Sequence, residues 1–318
     1  MKKNTFKVVV IGLLSLVMVS IGAPRTAFSQ GQTETVEAAT QSGNFHTPLD
    51  STPDPNANTI YFTAIGPHGP GVFRVPAAGG EATEVVAGPP FVVPTGVAMS
   101  TDGQSLYVAD PLAYSDGGRA GQIFVISMAD GSVRSLSGTE GTRPQGLDVV
   151  SQNGHDVLCF TGRDPMSREA AVFKMAATGD AAPTIVASGS PLVDPDGLAV
   201  THTGTVYVTD HSSVGKVFKL DGGAITCVVE NTPLGEPAGI ALTADESQLL
   251  VSALQSTVTR AQILVVDLAT HQTKSITGVI GANRDAGGLH RAHNLNTFSW
   301  CGVTAGTGGM GVVYRVNF

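Results

Sequence analysis

Asp148, Asp196, Asp210 and His290 are the side chains of this 318-residue chain best placed for chemistry. Each stands in or beside a short apolar run that recurs along the sequence. Asp148 and His290 occupy slots that sister runs fill with the small Ala98, Ala199 and Ala241. A carboxylate and an imidazole in such slots can exchange protons with a bound molecule. Asp196 and Gln145 open two of these runs, and His46 lies just before the first. Calcium and magnesium take carboxylates, amide carbonyls and waters. Asp196, Gln145, Asp148 and His46 could therefore contribute to a site for a divalent cation, which would polarise a carbonyl or activate a water. In that scheme Asp196 is a ligand, Gln145 and His46 are weaker ones, and Asp148, Asp210 or His290 handles the proton. No Gly-x-Ser-x-Gly, His-Glu-x-x-His or phosphate-loop motif accompanies them.

The runs that position these residues are copies of one repeat. PTGVAMSTDGQSLYVAD, residues 94–110, aligns with PDGLAVTHTGTVYVTD, residues 195–210. Further copies open at Pro144 and Pro237, and weaker ones at Pro48 and Ala286. Each copy has an apolar run, a tight polar turn such as Asp102-Gly103, a second run and a variable loop. A third run such as Val72–Val75 or Val217–Leu220 follows, then a Gly-rich turn and a fourth. Short β-branched runs between turn residues read as antiparallel strands. Four strands in each of six copies predict an all-β, six-bladed β-propeller. The last copy ends after its third strand, and the orphan run Gly31–Ala39 resembles a fourth. Pairing the two closes the ring and hides two edges. The expected organisation is a leader over residues 1–29 and one propeller over 30–318.

This topology sorts the candidates by face. Strand 2 runs antiparallel to strand 1, so inner-strand starts share a face with the loops 63–71, 110–121, 161–171, 209–216, 252–261 and 302–311. His46 or Thr47, Thr95, Gln145, Asp196, Ala238 and Gly287 should ring the channel mouth there. His202 and His293 fall on the tight turns of the opposite face, which the sequence gives no reason to favour. Simpler roles compete for several candidates. Asp110 and Asp210 can cap turns, Asp196 can bond backbone at the mouth, and Asp148 and His290 can satisfy buried hydrogen bonds. Arg119, Arg163, Asp164, Arg168 and Arg260 read as solvated loop charges.

Lys2, Lys3 and Lys7 precede an apolar stretch from Val8 to Ala23, and small residues follow at Ala27 and Ser29. This is the pattern of a cleaved secretory signal. It predicts export to the periplasm or the extracellular medium, with no membrane insertion after cleavage. Without its four basic leader residues the chain has 18 − 4 = 14 bases against 26 acids, a net −12. That balance argues against nucleic acid as a partner. Cys159, Cys227 and Cys301 are odd in number and far apart, and read as buried small hydrophobes.

The repeat Pro-x-Gly-Leu-Ala-Val-x-x-x-Gly-x-Val-Tyr-Val-x-Asp resembles the NHL and SMP-30/gluconolactonase/LRE-like propellers over residues 31–318. The resemblance implies a small-molecule site at one channel mouth. In the SMP-30 group a divalent metal assists lactone or ester hydrolysis. Asp196 matches that family's Asp, Gln145 stands where it has Asn, and His46 or Thr47 falls near its Glu. The NHL group implies instead a non-enzymatic propeller that binds a protein or glycan on its loop face. Both readings stand at this point.

Overall fold

The computed structural model describes residues 34–41, 43–115, 117–212, 214–255, 260–276, 286–303 and 311–318. The leader lies outside them, as do Gly31 to Thr33 of the orphan run. Among the described residues there is no helix, and the strands form six four-stranded antiparallel sheets. Blade 1 holds Ser51–Pro53, Thr59–Gly66, Gly69–Pro76 and Thr83–Ala87. Blade 2 holds Gly96–Met99, Ser105–Tyr114, Ala120–Ser127 and Val133–Ser135. Leu147–Gln152, His155–Arg163, Ala170–Ala176 and Thr184–Ser188 make blade 3. Pro195–Val200, Val206–Asp210, Lys216–Asp221 and Ala224–Glu230 make blade 4. Blade 5 comprises Ile240–Leu242, Gln248–Leu254, Ala261–Asp267 and Thr273–Ile276. Blade 6 comprises Leu289–Arg291, Thr297–Val303 and Gly311–Asn317, completed by Thr35–Gln41 from the N-terminal side.

The expected closure is present: Thr35 pairs with Asn317 and Val36 with Val316 in antiparallel register. Val36 is buried there, and Lys274 of blade 5 forms an ion pair with Glu34 beside the closing strand.

Alternation along the strands builds the core. Leu106 and Val108 face blade 1, whereas Tyr107 and Ala109 face blade 3. Both faces of a blade are covered near the axis, so the second strands, such as Ser105–Tyr114 and Val206–Asp210, are buried at most positions, whereas the outermost strands are largely exposed. The core consists of six clusters, one at each blade–blade interface. A fully buried Leu or Phe contributes about 1.5–3 kcal/mol, and Phe62, Phe160, Phe298 and Trp300 are among the largest buried here. One expectation fails: Cys159 and Cys301 are buried, but Cys227 is exposed on the outermost strand of blade 4, where no further blade covers it.

The Gly that five of the six copies share has a packing cause. A Cβ on Gly96 would collide with the Gln145 carbonyl of blade 3, and one on Gly197 with the Ala238 carbonyl of blade 5. Inner strands approach so closely round the channel that only Gly fits. Blade 1 breaks the rule, because its copy Pro48-Leu49-Asp50 carries Asp at that position.

Candidate functional site

Asp50 changes the throat of the channel. Its carboxylate is buried, and Oδ1 accepts the Ser51 amide at 2.8 Å. Oδ2 accepts the Val97 amide of blade 2 at 2.8 Å and lies 3.1 Å from His290 Nε2 of blade 6. One side chain thus ties three blades together. Opposite it, Gly288 lacks the Cβ that would strike Oδ1. Burial works to lower the His290 pKa, but the charge and hydrogen bond of Asp50, with the charge of Asp148, outweigh it and raise it above 6.5. With Nε2 on Asp50, Nδ1 is the ring nitrogen left to meet a ligand.

Asp196 shares this throat. Asp50, Thr95, Asp196 and His290 line one cavity of about 10 Å³, roughly the space of one water. Asp196 is buried, and its Oδ2 accepts the Ala238 amide of blade 5 at 2.6 Å. Burial pushes its carboxyl up to about 7; the Ala238 amide opposes this, and the charges of Asp194, Asp50 and Glu236 add to it. One amide does not replace the lost hydration, so the neutral acid is favoured far above its ordinary pH range.

Below the throat, on the face of the tight turns, the channel opens into a cleft of 490 Å³. Asp148 and His290 both line it, with Arg291, His202, Glu246 and His293. Asp148 is held by the Val149 amide at 2.9 Å and by the Val200 amide of blade 4 at 3.0 Å. Arg291 Nε donates to the Leu242 carbonyl, and Nη1 to the carbonyls of Ala292, His293 and Leu295. Those bonds fix the guanidinium and leave Nη2 for a ligand. Burial lowers its pKa, opposed by the charges of Asp148 and Glu246; an arginine stays cationic regardless. At the rim His202 Nδ1 meets Glu246 at 2.8 Å, and His293 Nε2 donates to the Met99 carbonyl at 2.9 Å. The tight-turn face thus holds a cleft lined by polar side chains that the residue pattern did not single out. Short turns leave the inner-strand ends uncovered, so the cleft forms where there are no long loops to fill it.

The loop-face mouth is a smaller recess of 300 Å³, and Gln145 and Thr95 line it with Arg143, Arg163 and Asp194. His46 lies apart from it, exposed, with Nδ1 3.2 Å from Thr47 Oγ1. The residues expected to hold a metal are thus split between an exposed edge, a mouth and a buried throat. Among the described residues no group of three His, Cys, Asp or Glu side chains is arranged to hold a metal ion. This donor set does not fit the calcium or magnesium site that the resemblance implies.

Asp210 stands away from the cleft. Its buried carboxylate accepts the amides of Val193, Asp194 and Ser212 at 2.8, 3.2 and 3.1 Å. Asp110 does the same for Val92, Val93, Leu112 and Ala113. Both hold the inter-blade links against the second strands, and neither points a free oxygen at the throat residues.

Sequence reasoning missed Asp50, Arg291 and the two rim histidines. Asp50 had a readable signal, an Asp where the other copies carry Gly. Arg291 had none, because its use depends on which of its nitrogens the turn carbonyls engage.

No protein-family model matches the chain, and no curated protein matches it. Solved structures do match in fold. The PQQ-bound form of aldose sugar dehydrogenase from Streptomyces coelicolor superposes with a TM-score of 0.64 at 13% identity, over 91% of this chain and 99% of that one. The putative TolB from Agrobacterium tumefaciens gives 0.55 at 13% identity, covering 84% and 81%. A nidogen/laminin complex gives 0.57 at 16% identity, covering 73% and 81%. At these identities the likeness is one of β-propeller fold alone.

Proposed function

We propose that the protein is an exported propeller that binds a small polyhydroxylated molecule in the turn-face cleft and acts on it by proton transfer. The carrying observation is convergence: Asp148 and His290, the two departures from Ala in the repeat, line the same cleft beside Arg291. Asp148 is anchored by two amides and can accept a hydrogen bond or a proton from a hydroxyl. His290, with Nε2 engaged by Asp50, presents Nδ1 to a ligand, as an acceptor when the ring is neutral and as a donor when it is protonated. Arg291 Nη2 meets a ligand oxygen without moving, because its other nitrogens are engaged. Few groups placed rigidly in a concave site are what orient a small ligand. A sugar-like ligand also agrees with the presence of a sugar dehydrogenase among the fold relatives. The leader pattern of residues 1–29 supports export. Hydrolysis through a divalent cation is not part of this reading, since the donor set does not fit one.

Calorimetric titration of the purified protein with a panel of monosaccharides, sugar acids and sugar lactones tests the proposal, beside Asp148→Asn and His290→Gln. Saturable binding by one class, indifferent to chelator and weakened at least tenfold in both variants, is expected. Binding by none of the panel, or binding unchanged in both variants, overturns it.

A further inference from the structure

The turn-face cleft lies inside a ring of acids. The turns from strand 1 to strand 2 surround it, at residues 54–58, 100–104, 153–154, 201–205, 243–247 and 292–296. They hold Asp54, Asp102, Asp245 and Glu246, and no lysine or arginine. In an antiparallel blade the turns from strand 3 to strand 4 end on the same face. Those of blades 1 to 5 span residues 77–82, 128–132, 177–183, 222–223 and 268–272. They add Glu81, Asp130 and Asp180, again without a lysine or arginine. The cleft lining has the same bias, with Asp148, Asp245 and Glu246 against the single base Arg291. The Thr243 hydroxyl, with the amide and hydroxyl of Ser247, holds the Asp245 carboxyl below its ordinary range against a small opposing effect of burial. A cleft ringed by one sign of charge concentrates small molecules of the other sign.

The unused hydrogen-bonding capacity of the lining points the same way. His202 Nδ1 is engaged by Glu246, and His293 Nε2 by the Met99 carbonyl. In a neutral ring those nitrogens carry the proton, so His202 Nε2 and His293 Nδ1 are acceptors. His290 is only 9% exposed, lines the cleft, and has no partner for Nδ1 among the described residues. Each Asp148 oxygen accepts one amide and keeps a further lone pair. With the rings neutral, Arg291 Nη2 is the one charged donor among these acceptors. An ammonium group supplies three donors and accepts nothing, which suits the acids and the ring nitrogens. A hydroxyl both donates and accepts, which suits Arg291. A cleft of 490 Å³ has the size of a small-molecule site. Resting on the reading of this cleft as a site for a polyhydroxylated molecule, we propose that the ligand is an amino sugar. Its protonated amine faces Asp148, Asp245 and Glu246, and one of its hydroxyls accepts from Arg291 Nη2.

Calorimetric titration with glucosamine, glucose and glucuronate tests this at about pH 7, where an unperturbed imidazole is mostly neutral. Glucosamine is expected to bind at least about tenfold more tightly than either of the others. That preference should shrink at least about twofold between about 20 mM and about 500 mM salt. Asp245→Asn and Glu246→Gln should each cut the ratio of glucosamine to glucose affinity by at least about threefold, and Asp164→Asn on the loop face should leave it unchanged. An unchanged thermal unfolding curve confirms that each variant folds. Glucosamine and glucose binding alike, or glucuronate binding more tightly than both, overturns the proposal and leaves the reading of a polyol cleft intact. A preference that ignores salt and both cleft variants also overturns it, because charge is then not its cause. Binding by none of the three overturns the polyol reading and this proposal with it.

Discussion

The two faces of this propeller treat buried carboxylates in opposite ways. On the loop face Asp210 is surrounded by three amide donors and Asp110 by four. In the throat Asp196 has one amide and is pushed up to about 7. Burial is nearly complete for all three, so hydrogen-bond supply separates them. A well-supplied carboxylate is a structural pin, while an under-supplied one stays responsive to pH and to whatever enters the channel.

The largest effect should come from breaking the throat itself. Asp50→Ala leaves His290 buried without its counter-ion and the Val97 amide without its acceptor. A loss of about 3–5 kcal/mol is expected, read by denaturant unfolding, and a loss below 1 kcal/mol would show that the three-blade tie matters little. Next comes Asp210→Ala, which strands three amides at a buried link and should cost about 2–4 kcal/mol. Because Asp210 has no part in the cleft, ligand binding by the folded variant should be unchanged.

Asp196→Asn should have the opposite sign. The folded carboxyl has a pKa raised from 3.8 to about 7. Its favourable contribution is complete below about pH 4 and is lost as the pH climbs through 7. The His290 pKa is also raised, so its contribution is complete below about pH 6.5 and is lost as the pH rises through the folded value. The joint contribution of these two groups should therefore fall from acid toward neutral pH, against the rising contribution of Asp102, Asp164, Asp245 and Asp267, whose pKa values are lowered. Asp196→Asn keeps an oxygen for the Ala238 amide and removes the lower part of that slope. A gain of up to about 4 kcal/mol at pH 8 is the ceiling; an unaltered stability–pH profile would place Asp196 with the pins. Smallest is the effect of Met166→Asp at a strongly exposed site, within about 0.5 kcal/mol of the native stability by the same denaturant unfolding.

The architecture was legible because it is written six times. Pro94, Pro144, Pro195 and Pro237 mark the same place in successive blades, and the continuous apolar runs of the second strands follow from burial on both faces. The site was legible only where a residue departs from its sister copies. Asp148 and His290 departed and share a cleft. Asp196 and Gln145 departed too, but the path from link to inner strand buries one in the throat and leaves the other at the mouth. Asp210 does not depart, since Asp110 repeats it, and repetition was the sign that it serves the scaffold. Which mouth holds the larger space was not legible, because cleft volume depends on how far the turns retreat from the axis.

The closing strand sets the mechanical character of the ring. Thr35 pairs with Asn317 and Gln41 with Val312, so Thr35 and Asn317 lie at the same end of the last sheet. A load applied across them would open the pairing from Thr35 and Asn317 inward, one residue pair after another. It would not slide the strands past each other and break all the pairs together. The seam should therefore part at low force while the other five blades remain folded, and the molecule should open as a zipper at one defined place.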